Sequence, residues 1–277
     1  PNEYENNVNN NWYTNRIAAW CLEYFTDAYM KAGPLRQSQL DVTEDELRAM
    51  LRVSRDMYYP EDEERGLFIQ HDTFLDKDLM PASALNEEER PLNQHWSWDR
   101  ILRSCFIKQA DVLQGLYFLG HLYDRDTKKR NFDFYEPLTV HESSLSPCVH
   151  AILAAEIGYE DKAVELYHRT ARLDLDNINN DTEDGLHITS MSGSWLVIAR
   201  GFAGMRTDAA GLSLYPFLPA GWEAYSFRFE YRGRIIHFEM NRQGASMTLV
   251  SGEALELTIW DENIHLENQW SKRGVQG

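Results

Sequence analysis

The densest group of reactive side chains is Asp184-Gly185-Leu186-His187-Ile188-Thr189-Ser190-Met191-Ser192-Gly193-Ser194-Trp195. From His187 to Ser194, an imidazole, four hydroxyls and a close-approach glycine fall within eight positions at the start of an expected helix. That joins side-chain donors, free backbone N–H groups and the positive end of a helix dipole, a combination able to hold an oxyanion such as phosphate. It is not a P-loop, because the glycine spacing and the Lys are missing. A capped helix with His187 bonded structurally fits the same residues. A second group, Tyr135-Glu136-Pro137-Leu138-Thr139-Val140-His141-Glu142-Ser143-Ser144-Leu145-Ser146-Pro147, sets His, Glu and three Ser before an apolar helix, where they can orient hydroxyls or anions. Plain N-capping by Ser143, Ser144 or Ser146 is the alternative. His141 beside Glu142 makes a poor metal site without a repeat of the pair, so no metal is expected.

Two further groups suit sugar chemistry. Glu3 and Glu5 lie among amides and aromatics, where a partly buried carboxyl could stay protonated near neutral pH and donate to a leaving oxygen, although either could be an ordinary surface acid. Trp96, Trp98 and Asp99 precede an expected helix bearing Lys108, Gln109 and Asp111, a mixture of flat apolar faces and hydrogen-bonding tips that fits a sugar ring or, for the indoles, a core.

These groups need elements to hold them. Ile17, Trp20, Cys21, Tyr24, Phe25 and Ala28 trace one helical face that stops at Gly33-Pro34. Thr43 with Glu46 forms a capping pattern for a helix carrying Leu47, Met50, Leu51 and Val53. Residues 60–91 read as an excursion with little regular structure. Helical spacing then covers Ile101 to Leu122, Ser146 to Ile157, Lys162 to Leu173 and Met191 to Phe202. After Gly211 the period changes, and 227–232, 235–240, 247–250 and 255–260 read as hairpin-linked strands. Helices followed by strands exclude a doubly wound parallel sheet and give a mainly α chain with a C-terminal β region, divided near 208–212.

Composition narrows the partners. The 277 residues are 43% hydrophobic, enough for a sizeable core, and the net charge of −17 repels phosphate backbones and anionic lipid, so nucleic acid and membrane are not expected partners. No apolar run is long enough to span a bilayer. Cys21, Cys105 and Cys148 have neither CxxC spacing nor an even count, which fits buried free thiols in a reducing compartment and gives the cytoplasm as the expected location. Seven of the first fifteen residues are Asn, which favours a loop, and the opening reads as the interior of a longer protein, a fragment.

The opening Pro1-Asn2-Glu3-Tyr4-Glu5-Asn6-Asn7-Val8-Asn9-Asn10-Asn11-Trp12-Tyr13-Thr14-Asn15, with Lys108-Gln109-Ala110-Asp111, Val140-His141-Glu142-Ser143-Ser144 and His187-Ile188-Thr189-Ser190-Met191, resembles the family 65 glycoside phosphorylases. The resemblance covers nearly the whole chain. It implies the later part of an (α/α)6 barrel over residues 1–210 and a small antiparallel β-domain over 211–277, with the N-terminal half of the enzyme missing. It also implies inverting phosphorolysis of an α-glucosidic disaccharide to β-glucose 1-phosphate and a released sugar. Maltose is favoured over trehalose, kojibiose and nigerose by the opening and by Arg90-Pro91-Leu92-Asn93-Gln94. Phosphate enters as co-substrate, no cofactor is implied, and the intact enzyme is expected to be a homodimer.

By the same resemblance, Glu3 is the general acid, and Lys108 and Gln109 hold glucosyl hydroxyls. His187, Ser192 and Gly193, with Thr189 and Ser190, bind phosphate, and His141 and Glu142 lie near the pocket. A single acid suffices because phosphate is already an anionic nucleophile. An incomplete barrel cannot preorganise its transition state, so the isolated chain is expected to be inactive or nearly so. Two rivals stand: an inverting glucosidase, needing a second carboxylate about 6.5–9.5 Å from the acid, for which Glu142 is the candidate, and a non-catalytic carbohydrate-binding fragment.

Overall fold

The computed structural model describes residues 2–273, so Pro1 of the opening motif and residues 274–277 of the expected β-domain lie outside the described residues. The chain forms two compact units, Pro1–Val140 and His141–Gly277.

In the first unit, Asn11 caps α1 (Trp12–Lys31), its side-chain oxygen accepting from the Thr14 N–H at 2.8 Å. Pro34 opens the short α2 (Pro34–Leu40), which the spacing did not foretell. Thr43 and Glu46 form the expected capping box on α3 (Glu44–Arg55), which packs on α1. The stripes foreseen on these helices match the buried residues only at Leu47. On α1 the buried residues are Trp12, Ala19 and Thr26, while Cys21 and Tyr24 are exposed, and on α3 they are Leu47 and Ser54, with Val53 exposed. Periodicity shows that an apolar face exists, but not what covers it in this chain. Trp12 stacks on Phe68 at 4.5 Å between ring centroids, which ties α1 to the small hairpin β1 (Glu61–Asp62) and β2 (Leu67–Phe68).

The helix expected over 101–122 is broken. After α4 (Leu92–His95), α5 (Trp98–Arg103) stops at Ser104, whose hydroxyl donates back to the Ile101 carbonyl at 2.7 Å. Residues 105–110 are irregular and form a parallel bridge between Ile107 and Thr139, before α6 (Val112–Phe118) begins. Cys105, Phe106, Ile107, Gln109 and Ala110 are all buried, and a continuous buried run does not distinguish helix from extended chain by period. Lys108 and Gln109 therefore lie on a loop and not on a helix. α7 (Arg125–Tyr135), capped by Asp124, completes the unit; its polar first turns hid it from the apolar count.

In the second unit, α8 (Pro147–Glu156) is buried on every side from Pro147 to Ala154, as a helix apolar all round must be. It packs on α9 (Glu160–Ala171) and α10 (Ile188–Leu196). The last runs directly into a π-helical turn, Val197–Phe202, where a uniform α-helix was expected. Phe202 is fully buried against Tyr167, Phe217, Trp222 and Tyr225.

Eight strands follow, β3 (Arg206–Asp208), β4 (Gly211–Leu214), β5 (Ala224–Tyr231), β6 (Arg234–Asn241), β7 (Gly244–Ser251), β8 (Leu255–Ile259), β9 (Glu262–Leu266) and β10 (Gln269–Arg273). They make two four-stranded sheets, β10-β7-β6-β5 and β3-β4-β8-β9. Every pairing is antiparallel except β4 with β8, which is parallel and so departs from a pure hairpin chain. Arg232 and Gly233 both take positive φ in the tight turn between β5 and β6, the geometry that matches strand twist in a two-residue hairpin. Alternation sets one face inward: Tyr225, Phe227 and Phe229 on β5, and Ile236, Phe238 and Met240 on β6. Among the described residues no helix is long and apolar enough to cross a membrane.

Candidate active site

In the first unit, a short loop presents Glu3 and is pinned on both sides of it. The backbone N–H of Asn2 donates to Asp111 Oδ2 at 2.7 Å, and Asn2 Oδ1 accepts from the N–H of Tyr4 at 3.1 Å and of Lys108 at 2.9 Å. Asn11 adds bonds from Nδ2 to both Asp111 oxygens, at 3.0 and 3.1 Å. Asp111 is buried, which pushes its carboxyl up, while the Asn2 and Asn11 bonds pull it back. Between these pins Glu3 is 55% exposed and accepts from Lys108 Nζ at 2.5 Å. The Lys108 hydrogen bond, helped by its charge and by a further hydrogen bond from Gln109, holds the Glu3 carboxyl below the ordinary range against the opposing effect of burial. The expectation of a carboxyl kept protonated is thus reversed by the ammonium group beside it.

Glu5 has another task, since it is buried and pairs with Lys77 Nζ and, at 3.3 Å, with His71 Nε2. Lys77 also donates to the Leu102 and Ser104 carbonyls, which ties the opening loop to the end of α5. Of the two indoles, Trp96 carries the Arg100 guanidinium over its ring and donates to Glu89, so it is a packing residue. Trp98 is 59% exposed and meets Tyr4, the residue that follows Glu3, edge-on at 6.3 Å.

In the second unit, His141 is buried with φ of 55°, a left-handed conformation uncommon for a residue with a Cβ. Its Nδ1 bonds Ser146 Oγ at 2.8 Å, its ring meets His150 edge-on, and its carbonyl accepts from Arg169 at 2.9 Å. Glu142 is buried. Ser146 makes no side-chain cap on α8, because its hydroxyl is committed to His141.

His187 stands at the N-cap of α10 without capping it by side chain. Asp174 grips it twice, Oδ1 on Nδ1 at 2.6 Å and Oδ2 on the backbone N–H at 2.9 Å, while Asp181 Oδ2 lies 3.4 Å from Nε2. The Asp174 hydrogen bond first, then the charges of Asp181 and Asp174, raise the imidazole above its ordinary value in spite of partial burial. Thr189 and Ser192 are exposed on the first turns of α10. Ser190 is buried and donates to the Thr170 carbonyl at 2.9 Å. Gly193 is buried against α8 and α9, with the position of an added Cβ 2.8 Å from Cys148 Cβ.

The structure therefore brings Glu3, Lys108 and Gln109 together in one unit, and sets His187, Thr189, Ser190, Ser192 and Gly193 along one helix start in the other, with Ser190 and Gly193 turned to packing. Sequence reading missed Asn2, Asn11, Asp174 and Asp181. Asn2 and Asn11 were lost in an Asn-rich run, and Asp174 and Asp181 in an acidic loop with no spacing signal.

Comparison with known proteins gives two domain matches: the glycosyl hydrolase family 65 central catalytic domain over residues 1–196, and the family 65 C-terminal domain over 205–266. A maltose phosphorylase from Bacillus subtilis (strain 168) is 57% identical over 99% of this chain and 36% of its own length. An alpha,alpha-trehalose phosphorylase from Thermoanaerobacter brockii is 37% identical, with 96% and 35% covered. A solved chain provisionally assigned as a kojibiose phosphorylase from the human microbiome superposes with a TM-score of 0.91 at 31% identity, with 99% of this chain and 38% of that one covered. The chain spans about a third of the length of the curated relatives it matches.

Proposed function

Because the chain belongs to glycosyl hydrolase family 65, we propose that it is part of an inverting phosphorylase of α-glucosidic disaccharides, with maltose as substrate and inorganic phosphate as co-substrate. Glu3 is the acid. It donates its proton to the glycosidic oxygen while a phosphate oxygen attacks the anomeric carbon from the opposite face. The old C–O bond breaks, the new one forms with inversion, and β-glucose 1-phosphate and glucose leave. Lys108 and Gln109 hold glucosyl hydroxyls. His187 supplies a cationic donor to phosphate, helped by the hydroxyls of Thr189 and Ser192 and by backbone at Gly193. Ser190 supports the helix start, and His141 and Glu142 are assigned to substrate binding near the pocket. The expected division is a barrel portion over 1–210 and a β-domain over 211–277. The intact enzyme is a cytoplasmic homodimer.

The observation that carries this reading is the Glu3–Lys108 pair on a loop pinned by Asn2 and Asp111. In the resting state Lys108 lowers the Glu3 carboxyl below its ordinary range. A glucosyl hydroxyl that draws the ammonium away removes the influence lowering that carboxyl, so sugar binding itself readies the acid for protonation.

Phosphorus NMR tests the reading. Joined to the N-terminal region its relatives carry, the chain should turn maltose and phosphate into a sugar phosphate with the β-anomeric coupling. Glu3→Gln should slow this by about 10²–10⁴-fold. The chain alone should give little or none. Glucose release that proceeds equally without phosphate would replace the phosphorylase with the inverting glucosidase, and binding that survives Glu3→Gln without any turnover in the joined enzyme would leave a carbohydrate-binding fragment.

A further inference from the structure

His187 is gripped by two carboxylates that do opposite work. Asp174 chelates one residue through two atoms, its Oδ2 taking the backbone N–H and its Oδ1 the ring Nδ1. Such a grip fixes the ring's rotation about the helix start and puts the proton on Nδ1, so that Nε2 points away from Asp174. Nε2 is not left to solvent, for Asp181 Oδ2 sits 3.4 Å from it. Asp174 is the better shielded of the two acids, with 13% of its side chain exposed against 30% for Asp181.

Two arginines of the preceding segment are committed elsewhere. Arg172 pairs with Asp176, and Arg169 donates to the His141 carbonyl and to Asn179. Ser190, three residues further along, donates its hydroxyl to the Thr170 carbonyl. No described cation other than the imidazolium is recorded in an ion pair with Asp174 or Asp181.

We propose that Asp174 is a positioning residue that aims His187 Nε2 at the phosphate, and that Asp181 occupies the phosphate's place on Nε2 until phosphate displaces it. The inference rests on His187 being a phosphate ligand. A carboxylate and a phosphate oxygen are alternative acceptors for one N–H, and the like charge of Asp181 must move away when the dianion arrives. The device keeps both ring nitrogens paired in the empty state, at the expense of some phosphate affinity.

The test uses this chain with inorganic phosphate as probe. Ring ¹⁵N shifts report the His187 titration, and ³¹P line broadening reports phosphate binding, in the native chain, Asp174→Asn and Asp181→Asn. Circular dichroism checks that each variant is folded. Both substitutions should lower the pH at which His187 titrates, since each removes a negative neighbour. Their effects on phosphate should have opposite signs, which a merely structural role for either acid would not produce. Asp174→Asn should weaken binding about tenfold, by analogy with the low end of what loss of an orienting carboxylate costs a metal-ligating histidine. Asp181→Asn should tighten it about fivefold, from one like charge removed in a solvent-screened site. Unchanged or weaker binding in Asp181→Asn overturns the displacement. An unchanged His187 titration in Asp174→Asn overturns the positioning role. If the titrations shift as stated but phosphate broadens with none of the three proteins, the phosphate role of His187 falls and the two-carboxylate grip alone stands.

Discussion

Gly193→Ala separates packing from ligand binding at the helix start. An added Cβ would lie 2.8 Å from Cys148 Cβ, 3.0 Å from its Sγ and 3.3 Å from Thr170 Cγ2. Carbon atoms in contact prefer about 3.5–4.0 Å, so the new methyl intrudes by about 1 Å on a side chain that cannot retreat. Cys148 is on α8, where Val149, Ala151 and Ile152 are also buried. Overpacking of this kind costs about 1–3 kcal/mol, and the gain in helix propensity from Gly to Ala returns about 0.5–1 kcal/mol. The net expectation is a loss of about 1 kcal/mol, seen as a lower urea midpoint and faster amide exchange in α8 and α10.

The partner variants sharpen this expectation. Cys148→Ala keeps the offending Cβ and should not relieve the strain, whereas Cys148→Gly removes it. A cycle with Cys148→Gly should show a coupling of about 1–2 kcal/mol. If Gly193→Ala is as stable as the native chain or more so, or if the coupling is absent, the packing argument is wrong and the glycine must be explained by what approaches its backbone.

Three other outcomes are expected. In Lys108→Met the Glu3 carboxyl should titrate at higher pH by ¹³C NMR. Because its folded pKa is lowered, its pairing adds stability above the unfolded value of a Glu and loses it as pH falls through the folded one, a contribution the variant should lack; an unmoved titration would remove Lys108 as its cause. Iodoacetamide at about pH 8 should label exposed Cys21 and spare Cys148, whose thiol burial pushes up to about 11, and Cys105, which burial also raises; labelling of Cys148 at the same rate as Cys21 in the folded chain would contradict this. Thr43→Ala should destabilise α3 by about 1 kcal/mol, read as amide exchange confined to its first turns, and equal protection in both proteins would show the capping box to be idle.

The parts legible in the sequence were those set by local rules. The Thr43–Glu46 cap, the end of α1 at Gly33-Pro34, and the change from helices to alternating strands after Gly211 all follow from chemistry within a few residues. The parts that escaped depend on distant partners. Residues 105–110 carry helical-looking hydrophobes, yet Ile107 gives its N–H to the Leu138 carbonyl and its own carbonyl accepts from the Val140 N–H, and no window around Lys108 contains that information. The parallel pairing of β4 with β8 joins residues far apart in sequence, which a hairpin grammar cannot anticipate. In the candidate site, His187 was visible by its neighbours, but its protonation is governed by Asp174, thirteen positions away. Glu3 was visible by motif, but the lowering of its carboxyl comes from a lysine more than a hundred positions distant.

Tyr225 shows what the border between the two family matches means mechanically. Its hydroxyl lies 2.9 Å from the Phe202 carbonyl and 3.0 Å from that of Phe217, so a single proton is shared between the last turn of the helices and the segment that leads into the sheets. Around it, Phe202, Phe217, Trp222 and Tyr167 form one aromatic knot. The residues between 196 and 205 thus behave as a weld and not as a flexible joint. A cut there would strip the knot open and leave the strands without the helix end on which they were assembled. The β-region is better regarded as the foundation on which α10 is mounted than as an appendage that follows it.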